Sequence, residues 1–371
     1  MYPRNRIMCK KVFVAATGQN SGKTTTSLSL MYCALKRYKR VGFIKPVGPK
    51  LTKYQGKHMD MDAALMAEVY GLNEDLDYMS PVTLFKDTTK EVLDGKISVE
   101  SLEEKIVNAV KKLEDRCDFL IIEGAGHSGV GSVLGMSNAR VAKLVDAPVL
   151  IIAGGGIGNV IDAVHMNLAL YKNEGAQVKL VLINKIIAEK REQTMRYLKL
   201  AFQDEDFEVL GGLNYSPILA NPTLNHIAKI LDLPLHGNSN DFNKIIHAIQ
   251  LGAASSQRVV DLLKKDTVVV VTSSRDELLV TLSSLYHDVP EYRHKIAGII
   301  ISGITPISSV TQQIIDNCAI PYIRTSLTTR QAYVKLMEDV AKITATDKEK
   351  ITLIQKTVEE TKIFDKIDPL F

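Results

Sequence analysis

Lys11-Val-Phe-Val-Ala-Ala-Thr-Gly-Gln-Asn-Ser-Gly-Lys-Thr-Thr25 is the stretch on which the reading of this chain turns. After Lys11 come five apolar or small residues, and Lys11–Ala16 reads as a strand buried on both faces. Thr17 to Ser21 form a glycine-containing loop, and a helix opens at Gly22–Thr24. Backbone N–H groups in such a loop and in the first helical turn lack internal partners, so they point at an anion. The partial positive charge of the helix N-terminus adds to the attraction. Lys23 stands where a lysine reaches β- and γ-phosphates, and Thr24 where a hydroxyl binds Mg²⁺. Thr17, Gly18, Gln19, Asn20, Ser21, Gly22 and Thr25 complete the candidate cradle. The standard pattern opens with a glycine five residues before the second one; here that position is Thr17, and Gly18 follows.

Outward from this loop, short β-branched runs alternate with helical patterns. The runs are Lys11–Ala16, Val41–Pro46, Asp118–Ile122, Pro148–Ala153, Val178–Asn184 and Phe207–Leu213. Between them Thr25–Lys39, Val99–Arg116, Asn159–Asn173 and Lys190–Phe202 carry helical spacing. The alternation predicts an α/β domain with a doubly wound, mostly parallel sheet, the P-loop NTPase fold. Leu235–Asp241 is polar, rich in turn formers, and reads as a linker. A second, smaller α/β domain follows. Its expected strands are Thr267–Thr272, Ile296–Ile301 and Ile320–Ile323. Its expected helices are Phe242–Leu251, Arg275–Tyr286, Val310–Asp316 and Arg330–Ala341. The expected boundaries are 8–235, 242–345 and a helical tail at 346–371.

The 371 residues carry a net charge of only +4, too small to argue for nucleic acid or an anionic membrane surface. Cys9, Cys33, Cys117 and Cys318 are far apart, which suggests neither a zinc site nor a disulfide framework. Reduced thiols and the absence of a signal-peptide pattern or an 18-residue apolar run lead us to expect a cytoplasmic protein.

Several residues at predicted strand ends are candidates for the same crevice, because ligands of open α/β sheets sit at the carboxyl ends of strands. Glu123 ends the third strand in Glu123-Gly-Ala-Gly126, and a carboxylate there can hold Mg²⁺ directly or through water. Lys45 ends the second strand; it either neutralises a transferring phosphoryl group or snorkels to solvent. Asp60 and Asp62 precede a helix, as caps or as a second Mg²⁺ ligand. Asn184 ends the fifth strand, where an amide can read adenine with a donor and an acceptor. His127 reads as solvated, and Gly154-Gly-Gly-Ile-Gly158 as a further loop of the same edge.

Together, Ala16–Thr25, Lys45-Pro-Val47, Glu123–Gly126 and Asn184 resemble the dethiobiotin synthetase-like branch of P-loop proteins. That branch includes the ATP-binding domain of cobyrinic and cobyric acid amide synthases and the N-terminal domain of long bacterial phosphotransacetylases. The phosphotransacetylase type is the nearest in flavour, through Asp62–Leu72 and Met79–Val82. Thr272–Glu277 and Ala297–Gly303 resemble the DRTGG-type domain that follows in those enzymes. The resemblance implies ATP and Mg²⁺ as ligands, with Lys23 and Thr24 on phosphate and metal, Asp62 and Glu123 as metal carboxylates, and Asn184 on adenine. Lys23 and Lys45 are the catalytic candidates, and the resemblance implies that Lys45 steadies the γ-phosphate and the attacking carbamate or carboxylate. It implies a small-molecule second substrate or effector and a homodimer. Two outcomes follow from it: an enzyme that activates an acid by phosphorylation, or a regulatory nucleotide-binding protein. A scaffold with a relic site is a third. Gly48-Pro-Lys50 after the Lys-Pro-Val departs from the Ser-containing substrate loop of dethiobiotin synthetases.

Overall fold

The computed structural model describes residues 9–338 and 343–371. The chain forms two compact units: residues up to Tyr215 together with Lys348–Phe371, and Ser216–Asp347.

The first unit is built on six parallel strands: β1 (Lys10–Ala16), β2 (Val41–Ile44), β3 (Phe119–Glu123), β4 (Val149–Gly154), β5 (Val178–Asn184) and β6 (Glu208–Gly211), in the order β6-β5-β4-β1-β3-β2. From Val12 to Ala16 the first strand has no exposed surface, which is why its sequence is apolar at every position rather than alternating. After β1 the chain builds β2 and β3 on one side and then crosses to β4 on the other. That reversal opens a crevice at the carboxyl ends of β1, β3 and β4. Helices α1 (Lys23–Arg37), α2 (Met61–Tyr70), α3 (Val99–Glu114), α4 (Ile157–Glu174) and α5 (Arg191–Ala201), with the short helix Asn138–Leu144 between β3 and β4, supply the crossovers and flank the sheet.

Every expected strand and helix of this unit forms, within a few residues. Among the pieces that went unforeseen are the short helices Thr88–Leu93 and Asn138–Leu144, the two-residue pairing of Val47–Gly48 with Val82–Thr83, and the antiparallel ribbon Leu51–Tyr54 with Lys57–Asp60. Gln55 and Gly56, both at positive φ, make the ribbon's two-residue turn. Its strands read Leu51-Thr-Lys-Tyr54 and Lys57-His-Met-Asp60, half-buried or exposed except at Met59 and Asp60, so no apolar alternation announced it.

The tail helix Lys348–Thr361 packs on α1 through Ile351, Ile354 and Val358. Beyond it Phe364 meets Phe119 at 5.9 Å between ring centres. Asp368 receives the Arg37 guanidinium at 2.8 Å, the Tyr38 hydroxyl at 2.5 Å and the Lys10 ammonium at 3.1 Å. The expected helical tail is therefore an integral layer of the nucleotide-type sheet rather than a separate piece.

In the second unit, β7 (Leu235–His236), β8 (Ala248–Leu251), β9 (Thr267–Thr272), β10 (Ile296–Ser302) and β11 (Tyr322–Arg324) form a sheet of order β7-β11-β10-β9-β8. Only β7 runs antiparallel. Its start differs from the expected boundary: Leu224, Ile227 and Leu231 of α6 (Leu224–Leu231) pack on Val268, Val270 and Ile300, so the break falls after Tyr215, not near 235. The expected linker contains the edge strand β7. The expected helix Phe242–Leu251 is also corrected. Its apolar spacing fits a helix, but Ala248–Leu251 pairs in parallel with Thr267–Val270, and sheet pairing overrides local spacing. The expected helix Arg330–Ala341 appears as Thr329–Glu338; its last residues lie outside the described ones. Among the described residues, no helix is long and apolar enough to cross a membrane.

Candidate functional site

The loop between β1 and α1 is held open from behind. Thr17 N–H bonds the Ile152 carbonyl at 2.9 Å, and the Ser21 hydroxyl bonds the Gly18 carbonyl at 3.1 Å. Asn20 and Gly22 both adopt positive φ, 60° and 99°. Gly22 occupies the N-cap of α1 without any side-chain cap, so the first N–H groups of the helix face the loop's hollow. A Cβ on Gly22 would lie 2.2 Å from Asn184 Nδ2, which makes glycine obligatory on two separate grounds. Asn184 Nδ2 donates to the Ser21 carbonyl at 3.0 Å, and Asn184 Oδ1 accepts from Leu213 N–H at 3.1 Å. The amide thus ties the phosphate loop to the segment after β6. One N–H and one lone pair of it are left for a ligand. Gln19 and Asn20 are exposed, Thr25 half-buried.

Lys23 reaches across the crevice and donates to the Gly126 carbonyl, in the loop after Glu123. Thr24 Oγ1 donates to Asp62 Oδ1 at 3.3 Å. Lys45 lies one residue past β2 and is 2% exposed, so it does not snorkel. Its ammonium sits 2.8 Å from both Asp62 Oδ2 and Glu123 Oε1. Burial opposes its charge, but the carboxylates of Glu123, Asp62 and Asp60 outweigh burial and hold Lys45 above the ordinary lysine range. The second Glu123 oxygen, Oε2, is buried with no hydrogen-bond partner. Among the described residues, no cluster of three or more His, Cys, Asp and Glu side chains could hold a metal on its own. A cation here would need the Thr24 hydroxyl, and oxygens of a ligand, besides the two acids.

The two aspartates divide the alternatives posed for them. Asp60 caps α2 by accepting from Asp62 N–H at 2.9 Å and also takes Lys50 N–H at 3.2 Å. Asp62 turns inward to Thr24 and Lys45. His127 is exposed, its Nδ1 accepting from Gly129 N–H at 3.2 Å.

One organising residue gave no sequence signal. Asn138, 3% exposed, donates to the Ala125 and His127 carbonyls at 2.7 and 2.8 Å and accepts from Ala125 N–H at 2.9 Å. It fixes the loop carrying the Gly126 carbonyl. An isolated asparagine after a Ser reads as ordinary helix capping, which is why it was passed over.

The parallel sheet, the glycine-turned loop on a helix N-terminus, and a lysine and threonine beside buried acids define a P-loop nucleotide-binding domain. The chain belongs to the AAA domain family (AAA_26), whose model matches residues 10–223. It is 23% identical over 371 residues to a phosphate acetyltransferase of Synechocystis sp., covering 96% of this chain and 52% of that protein. It is 26% identical over 300 residues to a cobyric acid synthase of Listeria monocytogenes, covering 71% of this chain and 58% of that protein. The chain thus spans about half the length of these curated relatives. A looser likeness, at 14% identity and a TM-score of 0.34, joins 55% of this chain to 90% of an apo GTPase from Pyrococcus abyssi.

Proposed function

We propose that the first unit binds ATP with Mg²⁺ and that Lys45 presents a carboxylate or carbamate to the transferring phosphoryl group. The donor set fits both ligands. The loop ends at the N-terminus of α1, capped by Gly22 at positive φ with no side chain over it, the arrangement that receives a phosphate chain. The unpartnered Glu123 Oε2, with Asp62 and the Thr24 hydroxyl, is the all-oxygen set a hard cation takes. Bound Mg²⁺ would supply charge neutralisation on the phosphate oxygens.

The chain's own contribution is positioning and charge. Lys23 moves from the Gly126 carbonyl to phosphate oxygens. Lys45 is the one buried cation between the two acids and faces the transferring group once those acids are engaged elsewhere. Asn138 keeps the Glu123–His127 loop from collapsing into the crevice. The observation that carries this reading is the Lys45 ammonium shared between Asp62 and Glu123. The test is nucleotide turnover: ADP release from Mg-ATP across a panel of small carboxylic acids and of amines with bicarbonate. Acid-dependent ADP release that Lys45→Met abolishes is expected; no release, with nucleotide binding intact, refutes it.

A second reading has its own support: the similarity to phosphate acetyltransferase runs through both units rather than the first alone. On that reading the nucleotide is a regulatory ligand and the second unit, DRTGG-like, takes an effector or partner. Binding without turnover, combined with a nucleotide effect on second-unit ligand affinity, separates it from the first.

A further inference from the structure

Away from the phosphate loop, the outer edge of β6 carries a pocket of about 210 Å³ between α5 and the tail. This is far more than the roughly 30 Å³ share of one liquid water, and below the ~300–1,000 Å³ of sites for drug-sized ligands. Its cations are Arg191 and Lys199 on α5 and Lys366 on the tail; its apolar wall includes Met195, Val209 and Ile363. None of its lining residues is acidic. Arg191 donates to the Gly211 and Gly212 carbonyls at 2.8 and 2.9 Å and to Asn214 Oδ1 at 2.7 Å, all neutral acceptors. Burial pulls Arg191 below the ordinary arginine range, the mark of a charge without a counter-ion. Among the described residues, no ion pair neutralises Lys199 or Lys366, while Lys10, Arg37 and Lys36 of the same unit all have carboxylates.

We propose that this pocket binds a small organic anion: a carboxylate or phosphate head group held by Lys199, Lys366 and Arg191, with a body of a few carbons against Met195, Val209 and Ile363. The site is distinct from the phosphate loop in position and in chemistry. The loop offers backbone N–H groups, whereas this pocket offers side-chain cations over an apolar wall.

The sequence contains no tryptophan, so Thr361→Trp, in the pocket lining, gives a single tryptophan that can be excited selectively beyond the tyrosine band. Butyrate, monobutyl phosphate, inorganic phosphate and butanol are titrated into this protein and into the same protein carrying Lys199→Glu and Lys366→Glu. Phosphate at the phosphate loop contributes equally to both proteins, so only their difference reports the pocket. Saturable change with butyrate or monobutyl phosphate, absent with butanol, is expected, and the tighter of the two names the head group. Charge reversal weakens it by about tenfold or more, because two attractions a few ångströms from the anion become repulsions. Lys199→Gln with Lys366→Gln gives an intermediate loss at an unchanged melting temperature, which separates binding from folding. No saturation with either organic anion, or equal binding to the charge-reversed protein, overturns the proposal.

Discussion

Replacing Lys45 by methionine keeps an unbranched apolar stem out to the Cε position and removes the ammonium with its charge. The wild-type ammonium lies 2.8 Å from each of two carboxylates, and the side chains of all three groups are at most 8% exposed. Lys45→Met therefore removes the ammonium that Asp62 and Glu123 share in a water-poor crevice. Removing one partner of a buried pair costs about 3–5 kcal/mol, mainly as the penalty of the stranded charge. Glu123→Gln in the same background removes much of that penalty, so the double variant recovers a large part of the loss. Measured by urea unfolding, the coupling between the two sites comes to about 0.5–3 kcal/mol, the span observed for contacting groups. The sign with pH is also fixed. In the wild type Lys45 is held above the usual lysine range, so its stabilisation is complete below the unfolded pKa of about 10.4 and is lost only as pH rises through the folded value. Between pH 6 and 9 the wild-type contribution of Lys45 is flat. A loss under about 1 kcal/mol, or no rescue by Glu123→Gln, refutes the buried triad as drawn.

Four further outcomes follow from the same geometry. Gly22→Ala places a methyl 2.2 Å from Asn184 Nδ2 at a φ of 99°, so calorimetry should register loss of nucleotide binding, and unfolding a cost of about 2–4 kcal/mol from strain plus lost Asn184 bonds. Asn138→Ala removes three hydrogen bonds from the Ala125–His127 loop and should speed amide exchange there, with α1 unaffected. Asp368→Ala releases Arg37, Tyr38 and Lys10 and should lower unfolding stability by about 1–3 kcal/mol. Burial would raise the Asp368 carboxyl, but the bonds from Tyr38, Arg37 and Lys10 prevail and hold it below the usual range; its contribution is present above the unfolded pKa of about 3.9 and fades as acid titration passes below that.

Much of the first unit was legible because its strands are buried on both faces. Val12–Ala16 and Leu180–Ile183 are apolar or small for packing reasons that need no knowledge of the partner strand. The phosphate loop was legible because its chemistry is local in sequence. What could not be read depends on pairing or on distant contacts. Phe242–Leu251 has helical spacing, and only the neighbouring Thr267–Val270 makes its end a strand. The choice for Lys45 between solvent and crevice was open until Asp62 and Glu123 were seen on either side of it. The tail's place on α1 depends on a return across the whole second unit, which no window of local sequence contains.

The central claim, a Mg-nucleotide site formed by the phosphate loop with Asp62 and Glu123, is tested most directly by calorimetric titration of a non-hydrolysable ATP analogue with and without Mg²⁺. The wild type should bind one nucleotide per chain, more tightly with Mg²⁺, and Asp62→Asn with Glu123→Gln should erase the Mg²⁺ dependence while leaving metal-free binding. No binding by the wild type, or the same Mg²⁺ enhancement in the double variant, would contradict it.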